Sequence, residues 1–272
     1  MRYIDFSLID KNDPDVKRWV SKATKKLAVL SLLKTHDDRK AFLQKNNLWN
    51  EFKPILIKYY GEKCWYSECD LSGSFGDVDH FRPKNKSTNE NDETILEDGY
   101  WWLAYDYLNY RLSCEKSNRP YRDGGKRDRF PLKPGSFPTT FPNKNDIPLL
   151  LDPCVQEDTM LIDCDETGEI ISLSGDSYEQ KRVSVSTKIY NWNCFNTARR
   201  EVRNTCKTTL EVLNLMYTYS PKNMSNPLST LKKLSDDKAP YSSFAKKYIA
   251  DHISDEPYAD IVLGLVFKDK SN

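Results

Sequence analysis

The sequence predicts an α+β protein, mostly helical, with a small β-containing unit embedded between helical ends. Three observations carry that reading. Apolar residues recur at helical spacing over residues 13–60, and a helical pattern returns from about Ser177. Between them, over residues 61–133, the hydrophobic period shortens and Gly and Asp become more frequent. A Pro-rich connector, KPGSFPTTFPNKNDIP, then leads into MLIDCDETGEIISLS, which reads as two short strands joined around Thr167-Gly168. These shifts divide the chain into a helical N-terminal segment (1–60), a core unit (61–133), and a strand-containing connector with C-terminal helices (134–272).

Taken in order, Asp13-Pro14 pairs a capping residue with a first-turn proline. Val16, Trp19, Val20 and Ala23 follow at helical spacing, then Leu27, Leu30 and Leu33. His36, in THDDRK, reads as a surface or helix-junction residue. LWNEFKPILIKYY carries Leu48, Phe52, Ile55, Leu56 and Tyr59 on one face, and Pro54 is expected to bend it or mark a new start. NKSTNENDETILEDG reads as an exposed loop. WWLAYDYLNYRLS reads as a helix buried on two sides that runs into a short strand at NYRLS. Gly124-Gly125 suggests a flexible loop able to close over a substrate. Arg199, Arg200 and Arg203 share a helix face that reads as surface or partner contact. APYSSFAKKYIADHI is the last recognisable helix, with His252 near its end.

Composition narrows the function classes. A net charge of +1 gives the whole molecule no general attraction for polyanions. Aromatic residues at 12% and only 10 glycines argue against disorder. The start, MRYIDFSLIDKNDPD, lacks the pattern of a signal peptide, and DIVLGLVF is too short to span a membrane. Seven cysteines, an odd number without framework spacing, read as reduced thiols, so a cytoplasmic location is expected. Cys154, Cys164, Cys194 and Cys206 read as buried thiols.

The chemistry concentrates at GDVDHFRPK, residues 76–84, where His80, one of three histidines, follows Asp79. Phosphodiester hydrolysis needs charge neutralisation at the phosphate, a base for water, and fixed geometry. A neutral histidine is a suitable base near pH 7, while an aspartate and an asparagine carbonyl are hard oxygen donors for magnesium or manganese. Neighbours on a strand point to opposite faces, so Asp79 and His80 act jointly only where a strand meets a loop. Arg82 and Lys84 lie beside His80, positioned to clamp a phosphate. From Arg111 to Lys133 there are eight basic residues against three acidic ones, among them Arg111, Arg119, Lys126 and Arg127. Such residues bind phosphates largely without reading sequence.

The pattern DH, then an Asn in NYRLSC, then CEKSNR resembles the HNH nuclease motif, a ββα-metal fold. The resemblance implies His80 as general base, Asp79 and Asn118 as ligands of Mg2+ or Mn2+, and Asn109 as the residue that orients the His80 loop. Many such nucleases hold structural zinc in two CxxC knuckles. Here the knuckles read Cys64-Trp65-Tyr66-Ser67 and Cys114-Glu115-Lys116-Ser117, with one thiol each, and Cys69 lies at an unusual spacing. Structural zinc is therefore not expected.

KCWYSE, DVDHFRPK, GYWWLAYDYLNYRLSC, GGKRDRFPL and PLLLDPC together resemble the HNH nuclease subunit of Septu-type anti-phage systems, which also serves as an effector in some retron systems. That resemblance, over about residues 48–175, implies an ABC/SMC-like ATPase partner and, in the retron setting, a reverse transcriptase with its msDNA. It implies DNA as substrate. RNA such as tRNA is one open alternative, and a catalytically weak nucleic-acid-binding regulatory subunit is another.

Overall fold

A computed structural model describes residues 1–73 and 76–267. Asp13 accepts a hydrogen bond from the Asp15 amide and, with Pro14 in the first turn, starts α1 (Pro14–Leu32). Thr35 caps α2 (His36–Lys45) through the Asp38 amide. Helix α3 (Trp49–Tyr60) runs through Pro54 without restarting, and Gly61, at φ 81°, ends it. Trp19 of α1 packs 4.5 Å from Phe52 of α3, and Phe52 stacks on Tyr107 at 5.1 Å. The N-terminal helices thus brace the β-containing unit beside them.

That unit begins with β1 (Asp77–His80). The stretch expected as a loop instead forms a small hairpin, β2 (Ser87–Thr88) with β3 (Thr94–Leu96). Its turn is held by Asn89, whose side chain accepts from the amides of Asn91 and Glu93, so a polar sequence supplies its own turn chemistry. The aromatic run expected as a helix forms two 3-10 turns, Trp101–Leu103 and Tyr107–Asn109. Asp106 breaks any continuous helix by capping the second turn at the Leu108 amide. Strand β4 (Tyr110–Ser113) then pairs antiparallel with β1, setting His80 opposite Tyr110 and Asp77 opposite Ser113. A single helical turn, α4 (Glu115–Asn118), follows and completes a β–β–α arrangement.

The connector ends in α5 (Gln156–Met160) and the expected hairpin, β5 (Ile162–Cys164) with β6 (Ile170–Ser172). Asp176 caps α6 (Ser177–Ile189). Beyond it come α7 (Asn196–Tyr219), α8 (Ser225–Ser235), α9 (Ser242–Ile253) and α10 (Ala259–Val266). The last of these is a helix beyond the one read as final, and it buries Val262 and Val266. One core joins the N-terminal helices, the β-unit and α6, and a second lies within the C-terminal helices. Arg199 is not on a surface face: it is fully buried, donating to the carbonyls of Gly168 and Trp192 and to Asn196. These acceptors replace its water of hydration. No helix among the described residues is long and apolar enough to cross a membrane.

Candidate active site

His80 is the last residue of β1, where the strand opens into a loop. Its ring is 4% exposed and wedged edge-on against Trp49 (5.1 Å) and Tyr110 (5.0 Å). Nε2 lies 3.0 Å from the Ala104 carbonyl, and Nδ1 lies 3.5 Å from Lys84 Nζ. A carbonyl only accepts, so Nε2 carries the proton and Nδ1 keeps its lone pair on the Lys84 side. Burial holds the His80 pKa well below its ordinary value and Lys84 lowers it further, against the Ala104 hydrogen bond. The imidazole is therefore neutral at pH 7. Asn109 fixes the turn that follows: its Oδ1 accepts from the Arg82 amide at 2.9 Å, and its Nδ2 donates to the Arg82 carbonyl at 3.0 Å.

A cleft of about 250 Å3 gathers Asp79, His80, Lys84, Asn118, Arg119 and Arg127, joined by Asp128. Asp79 and His80 reach the same cleft because the pair sits at the strand's end. Behind the cleft, Tyr66 donates its hydroxyl to Asp79 (2.6 Å), and the ammonium of Lys126, fully buried, lies 3.1 Å from the same carboxylate. Burial raises the Asp79 pKa, opposed by Lys126 and Tyr66. Asn118 donates Nδ2 to Asp77 at 3.0 Å, which leaves its Oδ1 as the free acceptor of the amide. One carboxylate and one amide oxygen bordering a cleft suit a hard divalent cation, and Tyr66 and Lys126 approach Asp79 from outside the cleft lining. Carboxylate and amide oxygens are the donor types that magnesium and manganese take.

The six basic residues singled out in the sequence divide into two groups. Lys84, Arg119 and Arg127 line the cleft. Arg119 is also held by Asp77 at 2.8 Å, whereas the exposed Arg127 makes no side-chain hydrogen bond or close ion pair among the described residues. Arg82, Arg111 and Lys126 do not face it. Arg82 turns to Asp146 at 2.8 Å, and buried Arg111 makes a two-pronged pair with Asp152 at 2.7 and 2.6 Å. Lys126 holds Asp79 and the His80 carbonyl from inside the protein. Each of these cations is drawn inward by a carboxylate distant in sequence.

The Gly124-Gly125 pair is packed in place. A Cβ on Gly125, at φ +98°, would stand 1.9 Å from the Arg119 carbonyl, and one on Gly124 would stand 2.3 Å from Asn191 Oδ1. This turn therefore holds the end of α4 against α6 and gives the cleft a fixed wall.

Behind the same β–β–α unit the thiols of Cys64, Cys69 and Cys114 converge, all within 4.8 Å of one another. Ser67 Oγ lies 3.3 Å from Cys69 Sγ and 3.6 Å from Cys114 Sγ. Tetrahedral zinc with Zn–S bonds of about 2.3 Å sets its sulfurs roughly 3.8 Å apart. The donors therefore fit a three-thiolate site, with the Ser67 hydroxyl or a water as fourth ligand. The expectation against zinc rested on one thiol in each knuckle and on the unusual spacing of Cys69; the fold brings the Cys69 thiol beside the other two. Hydrogen bonds from its neighbours hold the Cys64 thiol well below its ordinary pKa against the effect of burial.

Sequence reading missed Asp77, Tyr66, Asp128, Trp49 and the Ala104 carbonyl. Only Asp77 had a local signal, lying two residues before Asp79 on one strand and hence on one face. No family model matches the chain, and no solved structure matches it. Two curated proteins of Bacillus mycoides (strain KBAB4) are similar to it. The Septu protein PtuB is 29% identical over 136 residues, which is 49% of this chain and 45% of PtuB. The Septu protein PtuA is 28% identical over 143 residues, which is 51% of this chain and 18% of PtuA. The chain thus spans less than half the length of either relative, and about half of it is similar to these two Septu proteins.

Proposed function

We propose that this chain is a metal-dependent HNH-type endonuclease and the nuclease effector of a Septu-type anti-phage system, cutting DNA with His80 as general base. The observation that carries the reading is His80 itself. A buried, neutral imidazole has its Nε2 fixed on a backbone carbonyl and its Nδ1 turned to a cleft that also holds Asp79, Asn118, Lys84 and Arg127. Such a ring takes a proton from water at Nδ1, and Asn109 keeps the loop beyond it from shifting. Lys84 and Arg127 stabilise charge on the phosphate. Asp79 and Asn118 would hold magnesium or manganese, which when bound neutralises charge on the scissile phosphate. Similarity to PtuB supports the Septu assignment. In this reading the partner is a PtuA-like ABC/SMC-type ATPase in the cytoplasm, with a retron reverse transcriptase and msDNA as a further setting.

The test is incubation of the purified chain with supercoiled plasmid DNA and, separately, total tRNA, each with magnesium or manganese. Divalent-dependent nicking of the plasmid, stopped by chelator, is the expected result. Cut tRNA beside intact plasmid would move the substrate to RNA. No cleavage of either, with or without the ATPase, would overturn the nuclease reading in favour of a binding subunit.

A further inference from the structure

A second concentration of positive charge lies away from the cleft lining. Helix α1 carries Lys17, Arg18, Lys22, Lys25 and Lys26 against one acidic residue, Asp15, in a protein of net charge +1. Spacing of three and four residues sets Lys22, Lys25 and Lys26 on one side of the helix. There, with Lys45 at the end of α2, they line a depression of about 400 Å3. Glu51 is the one carboxylate in it, answering Lys22 at 2.7 Å. Lys26 rests over the Phe42 ring, while Lys25 and Lys45 are exposed and have no partner among the described residues.

Trp49 links the His80 site to this depression. Leu48 lies in its lining, and the next residue, Trp49, packs against His80 and sits 4.4 Å beneath Lys84 Nζ. On the other side, the Asn46 carbonyl accepts from Tyr105, the neighbour of the Ala104 that holds His80. A cleft of about 250 Å3 has room for little more than the phosphate being cut. The polymer must leave it, and each further phosphate brings another negative charge. The lysine depression is matched to that charge.

We infer that the α1 face, together with the α2–α3 turn, is a backbone-tracking surface that seats the duplex DNA flanking the cut. It rests on the nuclease reading above. It binds phosphate and sugar without reading bases, so the enzyme's affinity grows with substrate length beyond the cleft.

The experiment compares the full chain with a variant carrying Lys22→Gln, Lys25→Gln, Lys26→Gln and Lys45→Gln. Both are titrated with labelled duplexes of about 10 and about 40 base pairs between roughly 50 and 200 mM salt. The variant is expected to bind the long duplex at least tenfold more weakly and the short one nearly as well. The slope of log affinity against log salt should fall by about 0.9 for each phosphate no longer neutralised. A control with Lys207→Gln, Lys232→Gln and Lys233→Gln, all exposed on α7 and α8, should behave as the parent. Unchanged thermal midpoints show that the variants fold. A quadruple variant with parental slope and affinity, in a protein that still nicks plasmid, would overturn the surface and leave the nuclease standing. Intact DNA binding with lost capture of a PtuA-type ATPase would also overturn it, assigning the lysines to an acidic protein face. A parent protein that binds no duplex would overturn this inference, and a parent that also fails to nick plasmid would take the DNA-nuclease reading with it.

Discussion

Replacing His80 by alanine is expected to lower phosphodiester cleavage by about 10²–10⁴-fold, the range general-base catalysis contributes. The affinity for duplex DNA should stay near the parental value, because the cations that face the cleft, Lys84, Arg119 and Arg127, remain. The substitution strands no backbone acceptor: the Ala104 carbonyl still receives the Tyr110 hydroxyl at 2.7 Å. Single-turnover nicking, with anisotropy binding on the same preparations, separates the two quantities. A structural role alone would lower cleavage and binding together, whereas loss of the base lowers only the first.

Lys126→Met should produce the largest loss of stability near the site. The ammonium is fully buried and Asp79 is 6% exposed, so the pair is a buried ion pair. Removing the cation leaves the carboxylate with the Tyr66 hydroxyl as its side-chain hydrogen bond and the more distant charge of Lys84, and leaves the His80 carbonyl without its Lys126 donor. Breaking such a pair costs about 3–5 kcal/mol, most of it for the charge left behind. Asp79→Asn in the same chain removes that charge and should recover part of the loss, with a coupling of about 0.5–3 kcal/mol. Denaturant midpoints of the two single variants and the double variant measure this cycle. A Lys126→Met loss under about 1 kcal/mol, or strict additivity, would contradict the pairing.

Much of the architecture was legible because it is written locally. Asp13-Pro14 and the apolar spacing through Leu30 announce α1, and Thr167-Gly168 announces the β5–β6 turn. The candidate site was legible at Asp79, His80 and Asn118, which the fold brings to one cleft, and at Asn109, which it places under the loop. What stayed hidden depends on partners far along the chain. Arg82 and Arg111 read as phosphate ligands because Asp146 and Asp152, some 64 and 41 residues away, could not be seen to claim them. Lys126 was hidden in the same way, 47 residues from Asp79. The aromatic run at 100–109 misled for a different reason. Its rings pack in separate directions, Trp101 on Phe141 and Tyr107 on Phe52, which no single helix face could satisfy. The lysines of α1 were visible in sequence, but their closeness to the cleft depends on Trp49 packing against His80.

The state of the His80 ring is the point on which the account turns, and it can be read without substrate or partner. A histidine kept neutral in the fold but free to protonate when unfolded binds more protons in the unfolded state. Its contribution to stability is therefore complete above the ordinary value of 6.5 and is lost as pH falls toward the folded pKa. Long-range proton–nitrogen NMR resolves the chain's three histidines, and single substitutions assign them. For His80 the account predicts a neutral ring at pH 7, protonated at Nε2 and bare at Nδ1, that stays neutral as the pH drops past 6.5 while the protein remains folded. An imidazolium at pH 7, or a proton on Nδ1, would contradict it.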